Sequence, residues 1–230
     1  MSTEQDGVQP IQRLRFTFSK DGPARYISHL DLARTLERVL NRSRIPLAYS
    51  QGFNRRPRLS LAAALPLGYT SEAELADIWL TEQVEPVVAL EQIINRMAPG
   101  IAVQDMVDIP LKAPSLQQIL QAAAYRVRFL DPVDAGGLQE RVAALLAQES
   151  LPRERKRRKD KRPKPYDLRP LIIDLGVEPG GAGSPILTMH LVQTPTETGR
   201  PDEVLDSLGF DPLDTHVHRT QLYLAESDAA

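Results

Sequence analysis

Apolar residues along this chain change repeatedly between two spacings. Over residues 13–18 they alternate with charged or hydroxyl-bearing residues, which is the period of a β-strand with one buried face. Over residues 29–43 they recur every three or four positions, which predicts a helix with one apolar face. Ser28 and Asp31 form the capping pattern that begins such a helix, because the hydroxyl accepts an otherwise unpaired amide proton.

The remaining elements repeat this order of strand and helix. The first half continues with extended segments at 58–64 and 75–81, a helix at 86–97 and a strand at 101–109. The second half has a strand at 125–130, a helix at 134–148, strands at 168–177 and 185–193, a short helix at 201–208 and a strand at 217–224. The pattern therefore predicts an α+β protein with two tandem ferredoxin-like (βαββαβ) domains, at residues 12–112 and 123–226.

Composition excludes several classes of protein. The chain has 230 residues and no cysteine, which rules out disulfides, thiolate zinc sites and cysteine-ligated iron–sulfur clusters. His216 and His218 could both bind a metal, but two ligands do not make a site, so we expect no metal and no cofactor. The polar N-terminus lacks the pattern of a signal peptide, and no apolar run approaches about 18 residues. We therefore expect a cytoplasmic protein that binds no membrane.

Charge is strongly segregated although the net charge is only -2. Residues 1–60 carry 11 Lys and Arg against 5 Asp and Glu, and residues 153–164 carry 9 against 2. The segments 61–112 and 165–230 are net acidic. Because acidic surface repels a polyanion while basic surface attracts it, nucleic acid would be directed to the two basic zones.

The basic zones supply the candidate phosphate contacts, since guanidinium groups grip phosphates with paired hydrogen bonds. The first zone has three arginines on a loop and three on the helix 29–43: Arg55, Arg56, Arg58, Arg34, Arg38 and Arg42. The second zone contributes Lys156, Arg157, Arg158, Lys159, Lys161 and Arg162. Its dense like charge is also typical of a solvated surface loop, which is the alternative to RNA contact.

Two motifs resemble a known family. The sequence SHLDL, the helix after it and SQGFNRRPRLSLAAALPLG, together with PYDLRP further on, resemble the radical-SAM-linked protein family over residues 14–224. This family is an uncharacterised domain fused to, or encoded beside, cobalamin-dependent radical SAM proteins. The motif positions are Ser28, His29, Asp31, Gly52, Phe53, Asn54, Pro57, Asp167, Arg169 and Pro170. The resemblance implies a radical SAM protein as partner.

Charge and resemblance together favour an RNA-binding accessory module. It would present a structured RNA, such as tRNA or rRNA, to a separate radical SAM enzyme that modifies RNA, and we expect no DNA partner. The chain itself is not that enzyme, because it has no cysteine to ligate an iron–sulfur cluster. A different class of function is a protein–protein adaptor for the radical SAM partner, which would bind that enzyme without binding RNA.

A third reading is a metal-independent endoribonuclease. Tandem ferredoxin-like domains resemble, in architecture, the CRISPR repeat-processing endoribonucleases. A histidine such as His29 could then remove a proton from a 2′-hydroxyl, with Tyr26 and Lys20 steadying the developing charge. The simpler interpretation is that His29 is only the first residue of a capped helix. Replacing His29 by Ala separates the two, because a nuclease would lose cleavage and keep binding.

Overall fold

The computed structural model describes residues 9–51, 53–155 and 164–225. They form two compact units, one within Met1–Ile119 together with Ala225, and one within Leu120–Leu224. Each unit combines helices with antiparallel strands, so the protein is a mixed α+β structure. Across the described part of the chain, every helix is too short or too polar to cross a bilayer.

The first unit has four sheet strands and two longer helices. Its elements are β1 (Gln12–Lys20), α1 (His29–Ser43), β2 (Leu59–Leu61), β3 (Thr70–Leu80), α2 (Pro86–Ile94), β4 (Ile101–Ile109) and the one-turn α3 (Leu116–Ile119). The strand order is β4-β1-β3-β2, and each neighbouring pair is antiparallel. The helix predicted at 29–43 and the strand predicted at 101–109 are confirmed with their bounds.

The core of the first unit lies between its helices and one face of its sheet. Leu14, Phe16 and Phe18 of β1 are almost fully buried, as the alternating pattern predicts. They share a cluster with Leu36 and Val39 of α1, which recur at helical spacing. Burying one such side chain contributes about 1.5–3 kcal/mol, so this seam holds α1 firmly on the sheet.

The opposite face of this sheet carries a buried ion-pair cluster. Asp77 is fully buried, and its carboxylate accepts hydrogen bonds from Arg13 and Arg15 on the neighbouring strand. Arg13 also donates to the carbonyls of Ala113 and Pro114, at 2.5 and 2.9 Å. The chain after β4 therefore lies against this face, which is consequently not open to a ligand at Arg13.

The second unit repeats the order of elements and adds a small hairpin. Its elements are β5 (Leu120–Phe129), α4 (Ala135–Leu146), β6 (Pro152–Arg155), β7 (Lys164–Asp167), β8 (Ile172–Glu178), β9 (Ile186–Val192), α5 (Pro201–Leu208) and β10 (Thr215–Leu224). The sheet order is β10-β5-β9-β8, and β6 and β7 form a separate two-stranded sheet. Buried residues of α4 and α5, among them Leu138 and Leu205, form its core with Val127 and Leu187 of the strands.

Two predicted strands of the second unit have the wrong first residue. The strand predicted at 125–130 begins already at Leu120 and ends at Phe129. The strand predicted at 168–177 begins only at Ile172, because Arg169–Leu171 form a 3₁₀ turn. Pro170 favours that turn, since its ring fixes a helical φ and its missing N–H is not needed there. The hairpin of β6 and β7 was not predicted, because each strand has four residues and the pattern of charges masks the alternation.

Candidate nucleic-acid interface

Helix α1 presents a basic face to solvent. The Ser28 hydroxyl accepts a hydrogen bond from the Asp31 amide at 3.2 Å, which confirms the predicted cap. Behind this cap, Arg34, Arg38 and Arg42 recur at helical spacing and are exposed. Arg34 is 3.3 Å from Asp31, and about half of each side chain is exposed, so this ion pair leaves the arginine accessible.

The segment 48–58, which we call the hairpin loop, has a hydrogen-bonded stem. The Ser50 amide donates to the Arg56 carbonyl at 2.8 Å, and the Arg56 amide donates back to the Ser50 hydroxyl at 3.1 Å. One step further down the stem, the Arg58 amide donates to the Ala48 carbonyl at 2.8 Å. The stem therefore fixes where the residues at the tip of the loop are displayed.

Two side-chain contacts dock the hairpin loop on α1. The Tyr49 hydroxyl donates to Asn41 Oδ1 at 2.6 Å, and Arg56 Nη1 lies 3.9 Å from Glu37 Oε1. On α1, Glu37 lies three positions after Arg34 and Asn41 lies three positions after Arg38, so each is a neighbour of an exposed arginine on the helix surface. The loop arginines therefore come alongside the basic face of the helix. We call this combined set the basic surface; it comprises Arg34, Arg38, Arg42, Arg55 and Arg56.

Two of the predicted arginines, Arg58 and Arg42, already contact other parts of the protein. The guanidinium of Arg58 lies 5.0 Å from the centre of the Trp79 ring, and that of Arg13 lies at the same distance from this ring. Such cation–π contacts hold Arg58 on β3 rather than beside α1. Arg42 donates to the Arg96 carbonyl at 3.4 Å, so part of its guanidinium already has a protein partner.

The sequence analysis does not predict the aromatic residues near the basic surface as contacts for RNA. Phe53, at the tip of the hairpin loop, has 105% of its reference surface exposed, and Tyr49 has 43%. The position of these two residues just before a cluster of arginines could have identified them. The low aromatic content of the whole chain does not show where aromatic rings are concentrated. Trp79 was missed because its place beside two arginines depends on strand pairing.

Several predicted residues fall outside the residues described. These are Gly52 and the second basic zone, namely Lys156, Arg157, Arg158, Lys159, Lys161 and Arg162. The described strands on either side of this zone, β6 and β7, pair with each other in antiparallel register. The zone therefore connects the two strands of a hairpin, and its contact with RNA stays a prediction.

The three residues of the nuclease reading have different environments. His29 is half-buried at the start of α1, and Tyr26 is 69% exposed with the Arg25 guanidinium 5.3 Å from its ring centre. Lys20 is only 1% exposed, and its ammonium donates to the Ile27 carbonyl at 3.2 Å. A role for Lys20 at an RNA phosphate would need that ammonium to leave the protein interior. The catalytic set stays a prediction.

The second family motif supports the backbone of the second unit. Asp167 Oδ1 accepts the amides of Leu151 and Arg169, at 2.7 and 2.9 Å. These two backbone hydrogen bonds lower the pKa of Asp167 below its ordinary value. The Arg169 guanidinium donates to the carbonyls of Leu146 and Ile172, and thereby caps the end of α4. Pro170 is the middle residue of the 3₁₀ turn Arg169–Leu171, so the motif has a clear structural role.

The lowered pKa of Asp167 predicts an acid-dependent stability. A group whose folded-state pKa is lowered stabilises the fold above its ordinary pKa, about 4, and loses that contribution as the pH falls through its folded value. We expect Asp167→Asn to lower the melting temperature near pH 7, and the gap from wild type to close below about pH 4. Thermal melts followed by circular dichroism test this; a gap that stays constant to about pH 3 contradicts it.

No group of three or more candidate metal ligands occurs among the residues that the structure describes. The search covers histidine, cysteine and acidic side chains in the described ranges, and so includes His216 and His218. These two histidines lie on β10, two positions apart, as the strand prediction requires. The described residues thus provide no metal centre from which to derive chemistry.

Comparisons with known proteins identify a family but give no activity. The chain is similar in structure to one in the crystal structure of a Cbf5-Nop10-Gar1 complex, with a TM-score of 0.51 and 9% identity. The match covers 99% of this chain and 57% of that one, so this chain spans little more than half of its length, and the likeness extends to the fold alone.

A second solved structure, a putative glycine cleavage system transcriptional repressor, has a TM-score of 0.26 and 11% identity over 94% of this chain and 98% of that one. No curated protein sequence matches the chain, and neither structural match names a radical SAM enzyme. A family model described as an uncharacterized protein conserved in bacteria (DUF2344) matches residues 13–201, and the chain therefore belongs to that family.

Proposed function

We propose that this protein is an RNA-binding accessory module and that its basic surface contacts the RNA. The observation that carries the proposal is the docking of the hairpin loop on α1 through Tyr49 and Arg56. It joins two sets of arginines that are separate in the sequence into one contiguous surface. Contacts to phosphate supply essentially all of the sequence-independent affinity of proteins for nucleic acids, and guanidinium groups suit such contacts.

The local balance of charge supports this reading. Arg34 faces Asp31 at 3.3 Å, and an exposed pair of this kind contributes at most about 1 kcal/mol. An RNA phosphate can therefore replace Asp31 at little cost. The contact of Arg56 with Glu37, at 3.9 Å, instead holds the loop on α1. Arg38 and Arg55 are also exposed, which leaves the surface with an excess of positive charge.

We propose further that each unit is a ferredoxin-like domain, the first containing β1 to β4 and the second β5 to β10; the second begins at Leu120, where β5 starts, and not at residue 123. The strand orders β4-β1-β3-β2 and β10-β5-β9-β8 support this, because in both units the first and third sheet strands are central. Each unit also has one long helix before its second sheet strand and one shorter helix before its last. This is the strand order and chain path of the βαββαβ unit.

The partner enzyme is proposed from the family resemblance alone. The motifs SHLDL and DLRP resemble a family associated with radical SAM proteins, and this cysteine-free chain needs a separate polypeptide to hold a cluster. The module would present tRNA or rRNA to that enzyme in the cytoplasm. Co-purification of the enzyme without RNA would instead favour the adaptor function.

Binding of purified protein to total small RNA, at two salt concentrations, tests the proposed function. We compare wild type with a variant in which Arg55, Arg56 and Arg58 are changed to Ala. Each phosphate contact contributes about 0.7–0.9 to the slope of log K against log salt, so losing the contacts of Arg55 and Arg56 should lower the slope by about 1.4–1.8. Arg58, whose guanidinium lies over Trp79, is not counted as a third contact. The affinity at low salt should fall as well.

Two controls show whether any loss comes from this surface. Changing the same three arginines to Lys keeps the charge and should keep most of the salt dependence. Arg200→Ala removes an exposed arginine of the second unit and should leave binding unchanged. Absence of binding by wild type at low salt would reject the RNA module, and unchanged binding by the Ala variant would reject this surface.

A further inference from the structure

Phe53 lies at the most exposed point of the hairpin loop. Its exposed surface is 105% of the reference, so the ring packs against none of the residues that the structure describes. A single exposed apolar residue is ordinary on a protein surface. Phe53 differs because of its neighbours: Gln51, Asn54 and Arg55 are also exposed, and the stem that carries them is hydrogen-bonded.

We propose that the tip of this loop is a capture site for an unpaired RNA base, which stacks on the Phe53 ring. This inference rests on the proposed function and names the class of RNA that the basic surface accepts. A base inside a duplex already has both faces covered by its neighbours, whereas a base in a single strand, loop or bulge offers a free face. The site therefore selects unpaired RNA.

The chemistry of the tip suits each part of a nucleotide. The Phe53 ring provides a stacking surface that accepts any base. The amide side chains of Gln51 and Asn54 combine donors with an acceptor, so they can bond to base edges. Arg55 and Arg56 lie next along the chain and would bind the adjoining phosphates.

The stem reduces the entropic cost of capture. The reciprocal contacts between Ser50 and Arg56, and the Tyr49–Asn41 hydrogen bond, hold the base of the loop before RNA arrives. Less conformational freedom is then lost on binding, and stacking contributes more of its energy to affinity. Aromatic stacking thus joins phosphate contact in this site, although aromatic residues form only 5% of the chain.

The test compares two probes: a single-stranded RNA of about ten nucleotides, within the range that such sites span, and the blunt duplex that it forms with its complement. We expect wild type to prefer the single strand. Phe53→Ala should weaken single-strand binding by about 5- to 150-fold, which corresponds to the loss of one stacked base. Binding of the duplex and the salt dependence should stay unchanged, because no charge is removed.

Matched variants of Phe53 separate the loss of base stacking from other causes of weaker binding. Phe53→Tyr keeps an aromatic ring and should keep affinity, whereas Phe53→Leu keeps apolar surface without a ring and should bind as weakly as Phe53→Ala. Unchanged single-strand binding by Phe53→Ala, an equal loss for both probes, or full affinity of Phe53→Leu would each overturn base capture.

The arginine variants distinguish this failure from failure of the proposed function. Changing Arg55, Arg56 and Arg58 to Ala should weaken the binding of both probes, since both contain phosphate groups. If that loss is seen while Phe53→Ala has no effect, the RNA module stands and base capture fails. Absence of binding to either probe by wild type would reject both proposals.

Discussion

Asp77→Ala should destabilise the first unit by about 3–5 kcal/mol, because it leaves buried guanidinium charge without a counter-ion. Asp77 is fully buried, and its Oδ2 accepts from Arg13 Nε and Nη2 at 3.1 and 2.5 Å. Its Oδ1 accepts from Arg15 Nε at 2.7 Å. Arg13 is itself only 2% exposed, so water cannot replace the lost carboxylate without opening the sheet.

Urea unfolding followed by tryptophan fluorescence checks this expectation. Trp79 is the only tryptophan of the chain and lies in the first unit, so its emission reports that unit alone. The matched control is Asp105→Ala, which removes an exposed carboxylate from β4 and should change stability by less than about 0.5 kcal/mol. A loss below about 1 kcal/mol for Asp77→Ala would show that the cluster is not a buried ion pair in solution.

Local signals in the sequence were enough to predict individual elements. The bounds of α1 follow from a cap at Ser28 and an apolar stripe, both of which act within a few residues. The bounds of α5 follow similarly from Pro201 at its start and Gly209 after its end, where φ is +80°. Such features are independent of the rest of the fold, and their physical causes can be read directly.

Contacts between distant segments could not be predicted in the same way. The cluster around Asp77 depends on the register of β1 against β3, which brings Asp77 to two arginines more than 60 positions away in the sequence. The docking of the hairpin loop depends on a hydrogen bond between Tyr49 and Asn41, two residues with many other possible partners. The sequence could therefore supply the arginines as candidates, but not the contacts of Tyr49 and Arg56 that bring the loop onto α1.

The 3₁₀ turn Gly22–Tyr26, which precedes α1, lies close to a glycine whose substitution should also have a large effect. Gly100 has φ +80°, and a Cβ added there would lie 2.4 Å from the Asp21 carbonyl oxygen and 2.9 Å from Ala24 Cβ. The Asp21 amide donates to the Gly100 carbonyl at 2.8 Å, which ties this turn to the start of β4. Backbone atoms cannot move aside as a flexible side chain can.

We expect Gly100→Ala to lower the free energy of unfolding by about 2–5 kcal/mol, which is the sum of left-handed backbone strain and steric overlap. Gly68→Ala is the matched control, because Gly68 has φ +86° and nothing within 4 Å of an added Cβ. It should cost only the strain, about 1–2 kcal/mol. Urea unfolding followed by Trp79 fluorescence measures the free energy of unfolding of both variants. Equal losses of this free energy would contradict close packing at Gly100. Because the displaced turn leads directly into α1, the larger loss should also disturb the arginines that this helix presents to RNA.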